Sequence, residues 1–185
     1  MWKGGLVSLL SRIGRKAKRW TIMKVYPFNV DLYMRLYVEH LRKCGITVEG
    51  KPKYIAPTAV FDANDYSQIS LGDNITMSGE SRIFTHDYSI TTASAALGNR
   101  IDRHEGELYL SQPVSIGRNC FIGARSMLLP GTHKGDNVIV GASAVVKGNI
   151  PDDSIVVGNP ARVIANTREW AQRTLDSEYL RVEKG

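Results

Sequence analysis

A repeat with a period of six residues runs through this 185-residue chain between Val114 and Val146. In each hexad one slot is apolar, with a single exception, and a small or compact residue lies two positions before it. The first slot holds Ile116, Ile122, Leu128, Lys134, Val140 and Val146, and the second holds Val114, Cys120, Ser126, Thr132, Val138 and Ala144. A period of six matches neither the 3.6 of an α-helix nor the 2 of a half-buried strand. It indicates short strands joined by regular corners, as in a parallel β-helix.

Three such hexads are expected to close one triangular coil, and stacked coils add roughly 4.8 Å each through backbone pairing. The apolar slot should point into the prism, and Gly or Asn should take the strained turn at the corner. Lys134 conflicts with this pattern because an unpaired buried ammonium group is costly. We therefore expect the coil to bulge at Lys134, so that the amine reaches solvent. A sandwich with this spacing by chance is the alternative, and six hexads in phase disfavour it.

The pattern starts, imperfectly, at Tyr54. Val60, Leu71, Met77 and Ile83 are candidate inward residues, and the last three are in phase by six. The segment from Asp62 to Tyr66 breaks the phase, which predicts an extra turn or bulge. Residues 87–112 are polar and aperiodic, and long excursions of this kind are usually functional or disordered.

Helices are predicted on both sides of the repeat. Asn29 is a plausible N-cap and Gly45 a plausible C′ residue for a helix over 30–44. Its apolar stripe consists of Val30, Tyr33, Met34, Tyr37, Val38 and Leu41. A second helix over 167–181 should cover the open end of the prism. The predicted class is mainly β, with an N-terminal helical segment (1–50), a β-helix domain (51–165) and a C-terminal helix (166–185).

The charge is concentrated at one end of the chain. Residues 1–20 hold six basic residues and no acidic one, which equals the whole formal net charge of +6. Apolar residues at helical spacing there, from Trp2 to Trp20, predict a basic amphipathic helix. Such a helix either lies on an anionic membrane surface or packs on its own protein. The neutral remainder disfavours nucleic-acid binding.

Other features of composition concern location. No stretch approaches the ~18 apolar residues of a membrane-spanning helix, and residues 1–20 lack the features of a secretory signal. Cys44 and Cys120 offer no disulfide framework. A cytoplasmic location is expected, with peripheral attachment to the inner face of the membrane through residues 1–20 as a further expectation.

Several strings in the repeat resemble the hexapeptide-repeat acyltransferases. They are Gly-Arg-Asn-Cys-Phe-Ile-Gly-Ala (117–124), Leu-Pro-Gly-Thr (129–132), Gly-Asp-Asn-Val-Ile-Val-Gly-Ala (135–142) and the segment 150–164. The closest branch is the sugar O-acetyltransferases of the galactoside, maltose and bacterial polysaccharide type. This resemblance implies a left-handed coil, a homotrimer with active sites between subunits, and acetyl-CoA as co-substrate without a metal.

The same resemblance assigns the acceptor side of the site. A sugar hydroxyl needs a base to remove its proton, and His86, just before the excursion, matches the family's general base. Asp87 either orients this imidazole or points to solvent. Tyr109, at the end of the excursion, also resembles the family. The family's acceptor-binding Asn matches a place near Val60–Asp62, and Asn64 lies only close to it.

The donor side is expected along the prism. Exposed backbone at Gly123-Ala124 and Gly141-Ala142 should bind the amide arm of acetyl-CoA, with the Ala124 N–H as oxyanion donor. These residues could also serve only as corners of the coil. Lys147 and Arg162 match the family's phosphate-binding cations. Another position that holds a cation in the family is Ala165 here, so phosphate binding is expected to be weaker or shared with Arg168.

The predicted function is an acetyl-CoA-dependent O-acetyltransferase that acts on a sugar or polysaccharide hydroxyl by direct transfer. An N-acetyltransferase of an amino-sugar nucleotide and a non-catalytic β-helix scaffold remain as alternatives. A zinc hydratase on this fold would need three converging histidines. His86, His104 and His133 lack the spacing for such a site, which argues against it.

Overall fold

The computed structural model describes residues 14–99, 104 and 106–182. Its centre is a left-handed parallel β-helix, as predicted, whose three flat faces are parallel sheets. Paired residues on neighbouring coils of the repeat, such as Ser115 and His133, are 18 positions apart. Three hexads therefore make one coil, which confirms the interpretation of the repeat.

Each face of the prism takes one strand from each coil, so sequential strands lie on different faces. Face A contains β1 (Thr47–Val48), β4 (Ile69–Leu71), β9 (Val114–Ile116), β12 (His133–Lys134) and β15 (Asn149–Ile150). Face B contains β2 (Tyr54–Ile55), β5 (Thr76–Met77), β10 (Phe121–Ile122), β13 (Ile139–Val140) and β16 (Ser154–Gly158). Face C contains β3 (Val60–Asp62), β6 (Arg82–Phe84), β11 (Met127–Leu128) and β14 (Val145–Val146).

The interior of the prism is filled by the two slots of the repeat, and every residue of both slots is buried. This includes Lys134, which is only 4% exposed. Its strand β12 pairs regularly with β9 and β15, in register with Ile116 and Ile150. The expected bulge is therefore wrong: pairing on both sides fixes the backbone and holds the lysine inside. Burial lowers the pKa of Lys134 to about 7, so the amine approaches neutrality instead of reaching solvent.

One candidate inward residue of the first coils is wrong. Leu71, Met77 and Ile83 are fully buried as expected. Val60, however, pairs with the outward Arg82, and Phe61 takes the inward position beside Ile83. The phase break after Asp62 is resolved by a 3₁₀ turn, Tyr66–Gln68, which Asp65 caps by accepting a hydrogen bond from the Ser67 N–H.

Asparagine and glycine have different roles at the corners of the coil. Asn74, Asn119 and Asn137 adopt positive φ, as expected, and their side-chain amides hydrogen-bond in a ladder along one edge. The glycines that follow the apolar slot, at 117, 123, 135 and 141, do not have positive φ. They are needed for close approach instead, because a Cβ on Gly123 would lie 2.6 Å from the amide nitrogen of Ala142.

The N-terminal helices pack against the first coils. Helix α2 (Val30–Cys44) has its Asn29 N-cap and left-handed Gly45 as predicted. All of its predicted stripe is buried except Val30, which is exposed, and His40 is buried with it. The described part of α1 covers 14–23. The remaining residues of the predicted amphipathic helix, 1–13, lie outside the described residues.

The described part of α1 lies against the protein. The Arg19 guanidinium donates to the Pro57 and Ala59 carbonyls at 3.2 and 3.4 Å, while Trp20 is 63% exposed. No helix within the described ranges is long and apolar enough to span a membrane.

The C-terminal segment reverses direction on the last coil. Strand β17 (Ala161–Asn166) pairs antiparallel with β16, and helix α4 (Thr167–Leu175) follows with Asn166 as its N-cap. The helix is shorter than the predicted 167–181, and Trp170, Leu175 and Leu180 are exposed. The edge of face B is therefore covered by β17, not by apolar contacts of the helix.

The excursion leaves the prism without disturbing it. Strands β7 (His86–Asp87) and β8 (Leu110–Ser111) form an antiparallel ribbon at its base. The excursion contains helix α3 (Ser89–Ala96), which was not predicted because its sequence shows no helical period. Below the ribbon, β4 pairs with β9 and β6 pairs with β11, so the coils stack as if the excursion were absent.

Candidate active site

His86 lies where face C ends and the excursion begins. The Gln112 N–H donates to the Thr85 carbonyl at 2.9 Å, which closes the ribbon directly beside it. Backbone pairing on this side fixes the position of the histidine, and its side chain is 14% exposed. Its Nδ1 is buried without a hydrogen-bond partner in the described part of the chain.

The carboxylate beside the imidazole comes from the coil before it. Asp62 Oδ1 lies 4.0 Å from His86 Nε2, because β3 pairs with β6 and places Asp62 next to Phe84. Asp87, the carboxylate expected from the sequence, accepts a hydrogen bond from the Ser89 N–H at 2.8 Å. This bond is the main reason that the pKa of Asp87 is lowered. Asp87 thus starts helix α3, and Asp62 is placed to act on the imidazole.

Asn64 and Tyr109, the two predicted acceptor residues, are brought together by Tyr88. The Asn64 Nδ2 donates to the Tyr88 hydroxyl at 3.2 Å. The Tyr88 ring lies 5.2 Å from Tyr109 and 5.3 Å, edge to face, from His86 (centroid distances). Aromatic surfaces with a few polar groups are typical of ligand pockets, and this cluster borders His86 on the side of the excursion.

A cavity of about 290 Å³ opens at His86. Its wall is shared between the ribbon and the corner that follows face C. The lining residues are Phe84, His86, Asp87, Leu110, Gln112, Leu129, Pro130 and Lys147. Lys147, expected at the phosphates of the donor, is therefore at the imidazole end, and its charge contributes to the lowered pKa of Asp87.

The residues expected to bind the donor arm lie elsewhere on the same chain. Gly123-Ala124 and Gly141-Ala142 form the corner between faces B and C, whereas His86 and Lys147 lie at the opposite end of the face C strands. Ala124 and Ala142 are exposed. Arg162 lies on β17, also exposed, with its guanidinium donating to the Ala161 carbonyl. One chain therefore presents two half-sites on different edges.

His133 and His104 do not line the cavity at His86. His133 Nδ1 lies 3.0 Å from the Ser115 hydroxyl on the outer surface of face A, and His104 is exposed in the excursion. Within the described residues, no group of three or more His, Cys, Asp and Glu side chains is placed to hold a metal ion.

Sequence reasoning missed Asp62, Tyr88 and Gln112 as neighbours of His86. Asp62 carried a weak signal, because it lies in the segment that matches the family's acceptor-binding Asn. Tyr88 carried none, since its contacts join residues separated by up to 24 positions without any period.

Comparisons with known proteins concern the repeat and the fold. Residues 113–148 match the family model described as the hexapeptide repeat of succinyl-transferase. The galactoside O-acetyltransferase of Escherichia coli is 31% identical over 116 residues, which cover 63% of this chain and 52% of the relative. A putative lipopolysaccharide biosynthesis O-acetyl transferase of the same organism is 30% identical, covering 55% of each protein. The chain spans between about a third and just under two thirds of the first curated relatives it matches.

Among solved structures, a galactoside acetyltransferase in complex with coenzyme A aligns with a TM-score of 0.61 at 22% identity. The alignment covers 92% of this chain and 89% of that protein. The repeat and the fold of this chain are therefore those of the hexapeptide-repeat acetyltransferases.

Proposed function

We propose that this chain, which carries the repeat and the fold of the hexapeptide-repeat acetyltransferases, is an acetyl-CoA-dependent O-acetyltransferase of a sugar or polysaccharide hydroxyl. The observation that carries the proposal is His86, held at the mouth of a cavity beside a carboxylate and an aromatic cluster. The relatives named for galactoside and lipopolysaccharide acetylation, and the related structure with coenzyme A, support the donor and the class of acceptor.

His86 would act as a general base, because a hydroxyl is a poor nucleophile until its proton is removed. The acceptor oxygen forms a bond to the thioester carbonyl carbon as the imidazole takes the hydroxyl proton. The C–S bond then breaks, and the imidazolium returns the proton to the departing thiolate. Asp62 stabilises the imidazolium between these steps by its negative charge. Asn64 and Tyr109 hold the acceptor through a hydrogen bond and an aromatic surface.

The donor half-site would come from a second copy of the chain. In one chain the Gly123-Ala124 corner and the His86 corner lie at opposite ends of face C, so a complete site needs a neighbour. Phe121 and Met127, which flank the Gly123 corner on two faces, are exposed apolar side chains that such a neighbour would cover. Three chains around an axis parallel to the prism bring each His86 corner to the next chain's Gly123 corner. We therefore include a homotrimer in the proposal.

A thiol-release assay with acetyl-CoA tests the proposal against free sugars, amino-sugar nucleotides and glycans. The expected result is thiol release with a hydroxyl acceptor. His86→Ala should lower turnover by about 10²–10⁴-fold, the usual contribution of a positioned base, with little change in the Michaelis constant for acetyl-CoA. His104→Ala is the matched control, since it lies in the same excursion away from the cavity.

Three results would contradict the proposal. If His86→Ala keeps near wild-type turnover and His104→Ala loses it, the proposed assignment of the base to His86 is wrong. Failure of every acceptor to release thiol, combined with no binding of coenzyme A, would support a non-catalytic scaffold. Acetylation only at an amine would favour the N-acetyltransferase alternative.

A further inference from the structure

A second cavity, of about 300 Å³, lies between helices α1 and α2 and the segment 63–66. It is separate from the cavity at His86, and the proposed reaction does not explain it. Its polar lining includes Arg15, Lys16, Arg19, His40, Asn64 and Tyr66.

The charge of this cavity is strongly positive. None of the described residues that line it carries a carboxylate, and residues 1–20, which include the undescribed 1–13, contain no Asp or Glu. Of the neighbouring acids, Glu39 pairs with Lys43, Asp65 accepts a hydrogen bond from the Ser67 N–H, and Asp62 faces His86. Burial, and after it the positive charges of Lys18, Arg19 and Arg15, lower the pKa of His40, which lines the cavity.

The cavity is joined to the catalytic histidine by one short stretch of chain. Asp62 faces His86, while Ala63 and Asn64, the next two residues, line the basic cavity. Asn64 also donates to Tyr88, whose ring lies against His86. Two residues of extended chain span about 7 Å at most. The basic cavity and the imidazole therefore border the same short segment, Asp62 to Asn64.

We infer that the basic cavity binds the phosphate or diphosphate of an acceptor whose sugar lies at His86. Clustered Lys and Arg donors with an amide and a phenol form the kind of site that holds phosphate oxygens through charge-assisted hydrogen bonds. This inference rests on the proposed function and narrows its acceptor to a sugar linked to phosphate. The phosphate can belong to a nucleotide sugar or to a lipid-linked sugar, which share this chemistry.

Inorganic pyrophosphate is the probe, titrated by calorimetry into the full chain with coenzyme A at saturation. Coenzyme A fills the donor's own phosphate sites, so that the remaining heat reports the basic cavity. Lys16→Gln should weaken pyrophosphate binding by about fivefold, and Lys16→Glu by more, because each removes or reverses one charge of a partly exposed site. Arg19 is left unchanged, since it also bonds the Pro57 and Ala59 carbonyls.

The matched controls are Lys53→Gln and Lys53→Glu. Lys53 is an exposed cation that lines another surface, between α2 and the first coils. These variants change the net charge equally and should leave pyrophosphate binding unchanged. Absence of pyrophosphate binding, or equal weakening by the Lys16 and Lys53 variants, would overturn the inference.

Two further arms separate the sources of the phosphate. Each sugar of the acceptor panel is offered free and linked to a nucleoside diphosphate. The linked form should have a lower Michaelis constant than the free sugar in the wild type, but not in Lys16→Glu. Sedimentation with phosphatidylglycerol vesicles tests a lipid surface. Loss of vesicle binding in Lys16→Glu with unchanged pyrophosphate binding would overturn the inference in favour of the membrane. Failure of coenzyme A to bind would instead count against the proposed function. The pyrophosphate titration would then be repeated without coenzyme A, and its outcome would still decide whether the basic cavity binds phosphate.

Discussion

Asp62 Oδ1 lies 4.0 Å from His86 Nε2, although the two residues belong to successive coils. The contact exists because β3 and β6 pair in parallel on face C. The Asp62 side chain is half exposed and that of His86 is 14% exposed, and such a pair contributes up to about 1 kcal/mol when the imidazole is charged. Asp62 can therefore stabilise an imidazolium without being essential to the position of the ring, which backbone pairing at Thr85 fixes.

Asp62→Asn should lower turnover by about fivefold, because the imidazolium formed during transfer loses that electrostatic stabilisation. The Michaelis constant for acetyl-CoA should not change. Steady-state kinetics with a saturating acceptor measures both. Asp87→Asn is the comparison, as its carboxylate is engaged with the Ser89 N–H. A larger loss in Asp87→Asn than in Asp62→Asn would return the orienting role to Asp87.

Two inactive variants should restore activity when they are mixed. His86→Ala removes the base, and Ala142→Trp blocks the donor corner with a bulky side chain. If each site combines the His86 corner of one chain with the donor corner of the next, about a quarter of the sites in randomly mixed trimers are intact. The variants are denatured together, refolded and assayed for thiol release. No recovery of activity, with trimers present by light scattering, would place the whole site in a single chain.

Arg162→Ala should raise the Michaelis constant for acetyl-CoA while turnover at saturation stays near normal, as expected for a group that binds ground state and transition state equally. The guanidinium is exposed on β17, away from the cavity at His86. Initial rates over a range of acetyl-CoA concentrations check this. Arg35→Ala is the control, because Arg35 is an exposed arginine on α2, outside both predicted parts of the site. Equal effects of both variants would mean a general loss of positive charge.

Lys134→Met should stabilise the protein by about 1–3 kcal/mol, the usual cost of a buried donor without a hydrogen-bond partner, since Lys134 Nζ has none among the described residues. The pKa of Lys134 falls from 10.5 to about 7 in the folded state. Between these values the unfolded chain binds the extra proton, so wild-type stability should rise with pH from about 7 to 10.5. The variant should lack this contribution.

Thermal unfolding at fixed protein concentration, at pH 7 and pH 9, measures the effect. Lys53→Met is the control for the loss of an exposed lysine, and it should keep the pH dependence of the wild type. A lower melting temperature for Lys134→Met at pH 7 would show that the lysine is stabilised by an interaction that its surroundings do not reveal.

The sequence predicted those features in which one local rule governs many residues. The hexads specified the coil because each inward slot must be apolar, and Asn29 and Gly45 specified the ends of α2 because each satisfies a defined backbone requirement. The prediction for Lys134 was wrong because the tendency of a charged group to reach water competed with strand pairing on both sides. Pairing prevailed, since a bulge would have broken the bonds of β12 to β9 and β15.

The candidate site was predicted only in part, for a related reason. His86, Asn64 and Tyr109 were named individually, and the structure brings them together through Tyr88. The role of Asp62 depends on which strands are neighbours on face C. No spacing in a single sequence encodes such a contact, because it joins two coils through the register of their pairing.

The excursion leaves and rejoins the prism through one antiparallel ribbon, β7 and β8, and is therefore a separate unit of the structure. Face A and face C continue in register beneath it, so its length and composition can change without cost to the coil. The prism then acts as a fixed frame that carries the proposed base and the proposed donor corners, while the excursion is free to diverge. Grafting the segment between Asp87 and Leu110 from a relative of known preference should therefore transfer acceptor choice between enzymes and leave donor use intact.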